Sequence, residues 1–504
     1  MVMIQDIAEA VFSLNGRALC LVMLLLAAVA PARADGLPAL EEMQADGADV
    51  SALVVDLGRG TVLASLAPQK SLIPASIMKV PTSALALENW GPRYQFTTIV
   101  SRRGPLQGDR LNGDLVLVGA GDPHLTDEEL WRLARDVAQT GLKRVTGDLV
   151  VNAGLFGKVP CNTPDRCNAV TRSGNAYDAA LSSAAVDFGS ITLTIRAAEA
   201  PGRPPAVEVQ PYDVPSVSVD NAATTSRRPD RLSVLRVTEG GQDRLVVRGG
   251  LSDSQSPVES YRSLGEPERH SGELFRAFLA REGVRVDGGI RVDYQPAGSD
   301  LEVLVARPGR LLVESLNRML AYSNNFMADV LVLGLGASRG LQPPIAPVQA
   351  GALLQTYVRA IADGGRFKPP GVSSGAVIRD GSGLDTGDRL AAWEMVALLD
   401  YIFARPELFP ALYGSLVIPY HGPGSSLRRA GDTPWRTRIA VKTGGLTEPV
   451  SVTTLAGYFR LPDGGFGAFA FLVNGRPGQR VWRRDAFAAM EDDLTALWSR
   501  FPAR

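Results

Sequence analysis

Strand-forming stretches sit at both ends of this 504-residue chain, and their placement constrains the fold more than any other feature. Near the start, Leu53-Val54-Val55-Asp56, the turn Gly58-Arg59-Gly60 and Thr61 to Leu66 read as a hairpin. Near the finish, Arg438 to Val441, Thr453 to Arg460 and Gly467 to Val473 read as three more strands, with Pro462-Asp463-Gly464-Gly465 turning between the last two. A helix over about 482–500 follows. A hairpin that joins those late strands in one sheet makes its domain discontinuous and leaves the middle of the chain inserted. The expected class is α+β and multidomain: a five-stranded antiparallel sheet flanked by helices from 35–95 and 300–504, with 96–299 inserted as one or two β-rich domains, the latter nested.

The middle supports the insertion. Short β-rich runs, Ser190 to Arg196, Arg231 to Thr238 and Asp243 to Gly249, alternate with Pro and Gly, and two helical patches, Asp127 to Thr140 and Ser271 to Glu282, interrupt them. The Pro-rich stretch Ala198 to Ser216 reads as a loop or linker.

At the N-terminus, the apolar run Leu19 to Ala30 follows Arg17 and precedes Ala32-Arg33-Ala34, the pattern of a cleaved export signal over residues 1–34. The run is shorter than the roughly 18 to 20 residues that span a bilayer, so removal is favoured over a lasting membrane anchor. Export to a bacterial periplasm is the expected location. Two cysteines then remain, Cys161 and Cys167, and an exported pair favours a disulfide closing a short loop. A metal is the weaker reading, because no further Cys or His stands at zinc spacing. A formal net charge of -1 gives no basic footprint for nucleic acid, which is set aside as a partner.

The chemistry-bearing residues fall in three clusters. In Ile73-Pro74-Ala75-Ser76-Ile77-Met78-Lys79, Ser76 lies where a helix begins and Lys79 shares its face three residues on. A serine hydroxyl attacks only when a base takes its proton, and a neutral lysine can be that base. Alone, the spacing is weak: an N-cap serine and a surface lysine produce it too. Ser323-Asn324-Asn325 breaks two apolar helical stretches, Leu311 to Leu320 and Phe326 to Leu335, and Lys442-Thr443-Gly444 follows the strand Arg438 to Val441. The chain has only six lysines, and two of them fall in these clusters, where arginine cannot replace a lysine that must deprotonate.

S-x-x-K, S-x-N and K-T-G in this order form the recognised signature of penicillin-binding proteins and β-lactamases. The chain resembles the low-molecular-mass penicillin-binding proteins of the D-alanyl-D-alanine carboxypeptidase and endopeptidase type with long inserted domains. Gly113 to Gly119 with Gly121-Asp122-Pro123, Gly147 to Val150, and Asp380-Gly381-Ser382-Gly383-Leu384 carry the likeness further. The resemblance implies that Ser76 is acylated, that Lys79 takes its proton, that Ser323 relays protons, and that Asn325 orients Lys79 and holds the substrate amide. It implies that Lys442 and Thr443 bind the terminal carboxylate beside Gly444, with Ser76 and Gly445 giving oxyanion N–H groups. Its substrates are peptidoglycan peptides, its covalent inhibitors β-lactam antibiotics, and it needs no cofactor and no metal. Gly445 departs from the family, which commonly carries Thr or Ser there, and Pro81 stands unusually close behind Lys79.

Three rival readings remain. Gly336-Ala337-Ser338-Arg339-Gly340 matches the G-x-S-x-G of α/β-hydrolases, but a helical run precedes it where that motif needs a strand. Only His124, His270 and His421 could serve such a triad. A peptidoglycan-binding scaffold without turnover, and a β-lactamase, are the others.

Overall fold

The computed structural model describes residues 36–161, 163, 167, 174–254, 257–419 and 437–501; the expected export signal and His421 lie outside them. The two ends of the chain meet in one five-stranded antiparallel sheet. Its order runs Thr61–Leu66, Asp49–Asp56, Phe466–Asn474, Val452–Arg460, Ile439–Leu446. The central strands are buried along almost their whole length, as a sheet covered on both faces requires.

The twofold alternation of a strand sorts its side chains between two cores. Val50, Ala52 and Val54, with Phe469, Phe471 and Val473, face one cluster, closed by Leu40 of the Pro38–Ala45 helix and by Met490, Leu494 and Leu497 of the Arg483–Ser499 helix. Leu53 and Val55, with Ala468, Ala470 and Leu472, face the other, larger cluster under the Lys79–Trp90, Leu312–Tyr322, Asn325–Ser338 and Ala392–Phe403 helices. In the edge strand, Ile439 and Val441 turn to the first core and Ala440 to the second. Lys442 therefore shares the face of Ala440, toward the helix that begins at Lys79. The Asn325–Ser338 helix is apolar almost all round and buried accordingly.

The two largest further cores lie in the inserted region. A second five-stranded sheet runs Ile290–Asp293, Leu149–Asn152, Asp114–Val118, Gln95–Arg103, Glu302–Leu311, and its core includes residues of the Asp127–Gln139 and Pro267–Arg281 helices. Between its strands in sequence, Ser190–Arg196, Ala206–Gln210, Val217–Asn221, Ser233–Glu239, Gln242–Arg248 and Val258–Ser263 enclose a separate small cluster. Two details differ from expectation. Ala206–Gln210 is a strand inside the stretch read as linker, because its Val207 and Val209 pack into that small core. Glu302–Leu311 pairs with Gln95–Arg103, so the second sheet reaches past residue 299. Cys161 and Cys167 are joined by a disulfide.

Candidate active site

Ser76 sits in a single 3-10 turn, Ala75–Met78, that runs straight into the Lys79–Trp90 helix. Pro81 is the third residue of that helix, in the first turn where a missing N–H is tolerated. Lys79, fully buried, donates to Ser76 Oγ at 3.0 Å, to Asn325 Oδ1 at 2.8 Å and to the Ser382 carbonyl at 2.8 Å. Those three acceptors match the three N–H groups of an ammonium. In the neutral amine, Asn325 and Ser382 can keep both N–H groups, which leaves the lone pair facing the Ser76 hydroxyl.

Ser323 ends the Leu312–Tyr322 helix in the left-handed conformation, φ 57°, and Asn324 caps the next helix by accepting from Met327 N at 3.0 Å. This two-residue reversal turns Ser323 and Asn325 into the same cleft. Asn325 Nδ2 donates to the Tyr177 carbonyl at 3.2 Å, which ties the inserted region to the site. Ser323 Oγ accepts from Lys442 Nζ at 2.9 Å, and Lys442 also donates to the Thr443 carbonyl at 2.8 Å. Lys442 is 2% exposed, and burial first, then the charges of Lys79 and Arg483, hold its pKa well below the usual lysine range.

Lys442-Thr443-Gly444 lies inside the Ile439–Leu446 strand, where the sequence placed it after a strand end. Gly444 pairs with Thr454, and a Cβ there would stand 2.2 Å from Thr454 Oγ1 and 2.9 Å from Ser76 N. The absent side chain lets the strand lie against the backbone of Ser76. Gly445 lines the cleft beside Ser76. The cleft has a volume of about 600 Å³ and is bordered by Tyr177 from the insert and by Trp482 and Arg483 at the start of the last helix.

Asp380 to Leu384 carry part of the likeness noted in the sequence, which by itself gives their loop no role in the site. Asp380 accepts from the N–H groups of Ser382, Gly383 and Asp385 at 3.0, 2.7 and 2.9 Å, folding the loop that presents the Ser382 carbonyl to Lys79. Gly383, φ 75°, passes so close to the Ala75–Met78 turn that a Cβ would stand 1.9 Å from the Ala75 carbonyl. Beside it, Asp388 is buried, and burial with the Asp380 charge pushes its pKa well above the carboxylate range. The rival serine, Ser338, closes a helix and donates to Leu335 O at 2.9 Å, with no strand leading into it. His124 Nδ1 lies 3.3 Å from Ser315 Oγ, yet Asp122 Oδ1 accepts the backbone N–H of His124 and leaves the ring unoriented by it. Neither set forms a triad.

The D-Ala-D-Ala carboxypeptidase 3 (S13) family matches residues 36–496. The chain belongs to that family. It is a serine peptidase hydrolase of the D-Ala-D-Ala carboxypeptidase class, with the penicillin-binding multidomain fold. A D-alanyl-D-alanine carboxypeptidase of Actinomadura sp. (strain R39) is 30% identical over 471 residues, 87% of this chain and 80% of that one. The D-alanyl-D-alanine carboxypeptidase DacB of Haemophilus influenzae is 24% identical over 434 residues, 85% of this chain and 86% of its own. Among solved structures, penicillin binding protein 4 of H. influenzae superposes with a TM-score of 0.72 at 21% identity, covering 91% of this chain and 99% of that one. Among the described residues no helix is long and apolar enough to cross a membrane.

Proposed function

We propose that Ser76 is the nucleophile that cleaves peptidoglycan stem peptides behind a penultimate D-alanine, with Lys79 as its base. The observation that carries this reading is the 3.0 Å contact of Lys79 Nζ with Ser76 Oγ, the amine being held from two other sides by Asn325 and Ser382. Ser76 Oγ adds to the D-alanine carbonyl while its proton passes to Lys79. The N–H groups of Ser76 and Gly445 receive the oxyanion, an effect worth about 3 kcal/mol per donor in comparable hydrolases. Collapse breaks the C–N bond, and the leaving amine takes a proton that returns through Lys79 or Ser323. Water then opens the ester. Lys442 and Thr443 hold the carboxylate carried by the leaving residue.

β-Lactams enter the same cleft and acylate Ser76; penicillin binding protein 4 of H. influenzae, the relative of like fold, has itself been solved in complex with a novel β-lactam. The enzyme works in the periplasm once the leader ending at Ala34 has been removed. A fluorescent penicillin tests the assignment: wild type takes the label and Ser76→Ala does not, while label retained on the alanine variant refutes it. Mass spectrometry of digested peptidoglycan separates the two scissions open to this chemistry, loss of a terminal D-alanine and cutting of cross-linked dimers.

A further inference from the structure

The residue after K-T-G is glycine in this chain, so a side-chain hydroxyl is missing from the part of the cleft assigned above to the substrate carboxylate. Nothing in the backbone requires that glycine: unlike Gly383, Gly445 does not have a positive φ. What occupies the space is Arg483. A Cβ on Gly445 would stand 3.0 Å from Arg483 Nη1 and 3.3 Å from its Cζ. The guanidinium therefore lies about where a threonine or serine hydroxyl would point.

Arg483 lines the cleft together with Ser76, Ser323 and Gly445, and its side chain is open to solvent there. Among the described residues it forms no ion pair, although Glu448 shares the lining. It is also the first residue of the Arg483–Ser499 helix, where the helix dipole disfavours a cation. Lys442 donates to Ser323 Oγ and Arg483 lies against Gly445 in the same cleft, so two strong donors reach one small region. Such a pair suits an anion with two oxygens, and a planar guanidinium can grip both of them.

We propose that Arg483 takes over the role of the missing hydroxyl and, with Lys442 and Thr443, selects substrates whose leaving residue carries a free carboxylate next to the scissile amide. The proposal rests on the Ser76 reading above and deepens it.

The test uses the full mature chain and two peptides ending in D-Ala-D-Ala, one with a free C-terminal carboxylate and one amidated. Wild type prefers the acid. Arg483→Ala lowers kcat/KM for the acid by about 10- to 100-fold, the loss that follows from a charged hydrogen-bonding pair, and leaves the amide within about twofold. Arg483→Lys recovers part of the preference, since it keeps the charge but loses the fork. Gly445→Thr lowers acid turnover in wild type by crowding the guanidinium, and raises it in Arg483→Ala by restoring a hydroxyl. An unchanged acid-to-amide ratio in Arg483→Ala overturns the proposal, and so does an equal loss on both peptides, which marks a merely structural role. Failure of the underlying reading shows separately, as turnover that survives in Ser76→Ala.

Discussion

In the proposed reaction Lys79 gives up a proton before it accepts one, and a hydroxyl on one side with two fixed oxygens on the others suits that exchange. Lys79→Arg preserves donors but cannot deprotonate at working pH, so acylation by a penicillin, followed in rapid mixing, falls by about 10²- to 10⁴-fold. A second residue reports on the frame. Asp388 Oδ1 accepts the Arg379 N–H at 2.7 Å, while Oδ2 has no hydrogen-bond partner among the described residues. Because its folded pKa is raised, its contribution to stability is complete below the ordinary carboxylate range and is lost as pH climbs through the folded value. Asp388→Asn removes that slope, so thermal unfolding at neutral pH shows a Tm equal to or above wild type, and the gap narrows toward acid. Residue types announced Ser76, Lys79, Ser323, Asn325 and Lys442 in the sequence. The Ser382 carbonyl was invisible there, because every residue has one and only the Asp380 loop aims it.

At the level of elements, the site is a set of close approaches between backbones. Ala75 and Ser323 hold left-handed conformations without being glycine, φ 48° and 57°, and both belong to the segments that carry the proposed catalytic groups. Ser323→Gly relieves the second by up to about 1 kcal/mol, which chemical denaturation measures as a raised midpoint. It also takes away the hydroxyl that Lys442 donates to, so the same variant hydrolyses peptide more slowly. The strands, the last helix and the break at Ser323 were legible from alternation, turn residues and apolar runs. The edge strand was not read to its true end, since Thr443-Gly444-Gly445 looks like a strand terminus. Its pairing with Thr453, Thr454 and Leu455 carries it through, a tertiary effect that local propensity does not encode.

In the whole molecule, the middle of the chain reaches the cleft through Tyr177, whose carbonyl holds Asn325, and through Asn175, which lines the cleft and is itself bridged to Arg262 of the Val258–Ser263 strand. The small nested core begins and ends side by side, Ser190 opposite Ser263. Replacing residues 191–262 with a short Gly/Ser turn removes the small core, takes Tyr212 from the edge of the second-sheet core and loosens that wall. Fluorescent penicillin still labels the shortened protein, whereas its KM for stem peptides rises several-fold in steady-state assays. The sheet that joins both chain ends has a last consequence, for timing. Asp49 to Asp56 pair early with Thr61 to Leu66 but find their second neighbour only at Gly467 to Asn474, and the lysine at 442 arrives just before it. A nascent polypeptide thus carries the serine at 76 and the amine at 79 through a long stretch of synthesis, and the wall of the cleft beside them closes only after residues 439–474 have been made.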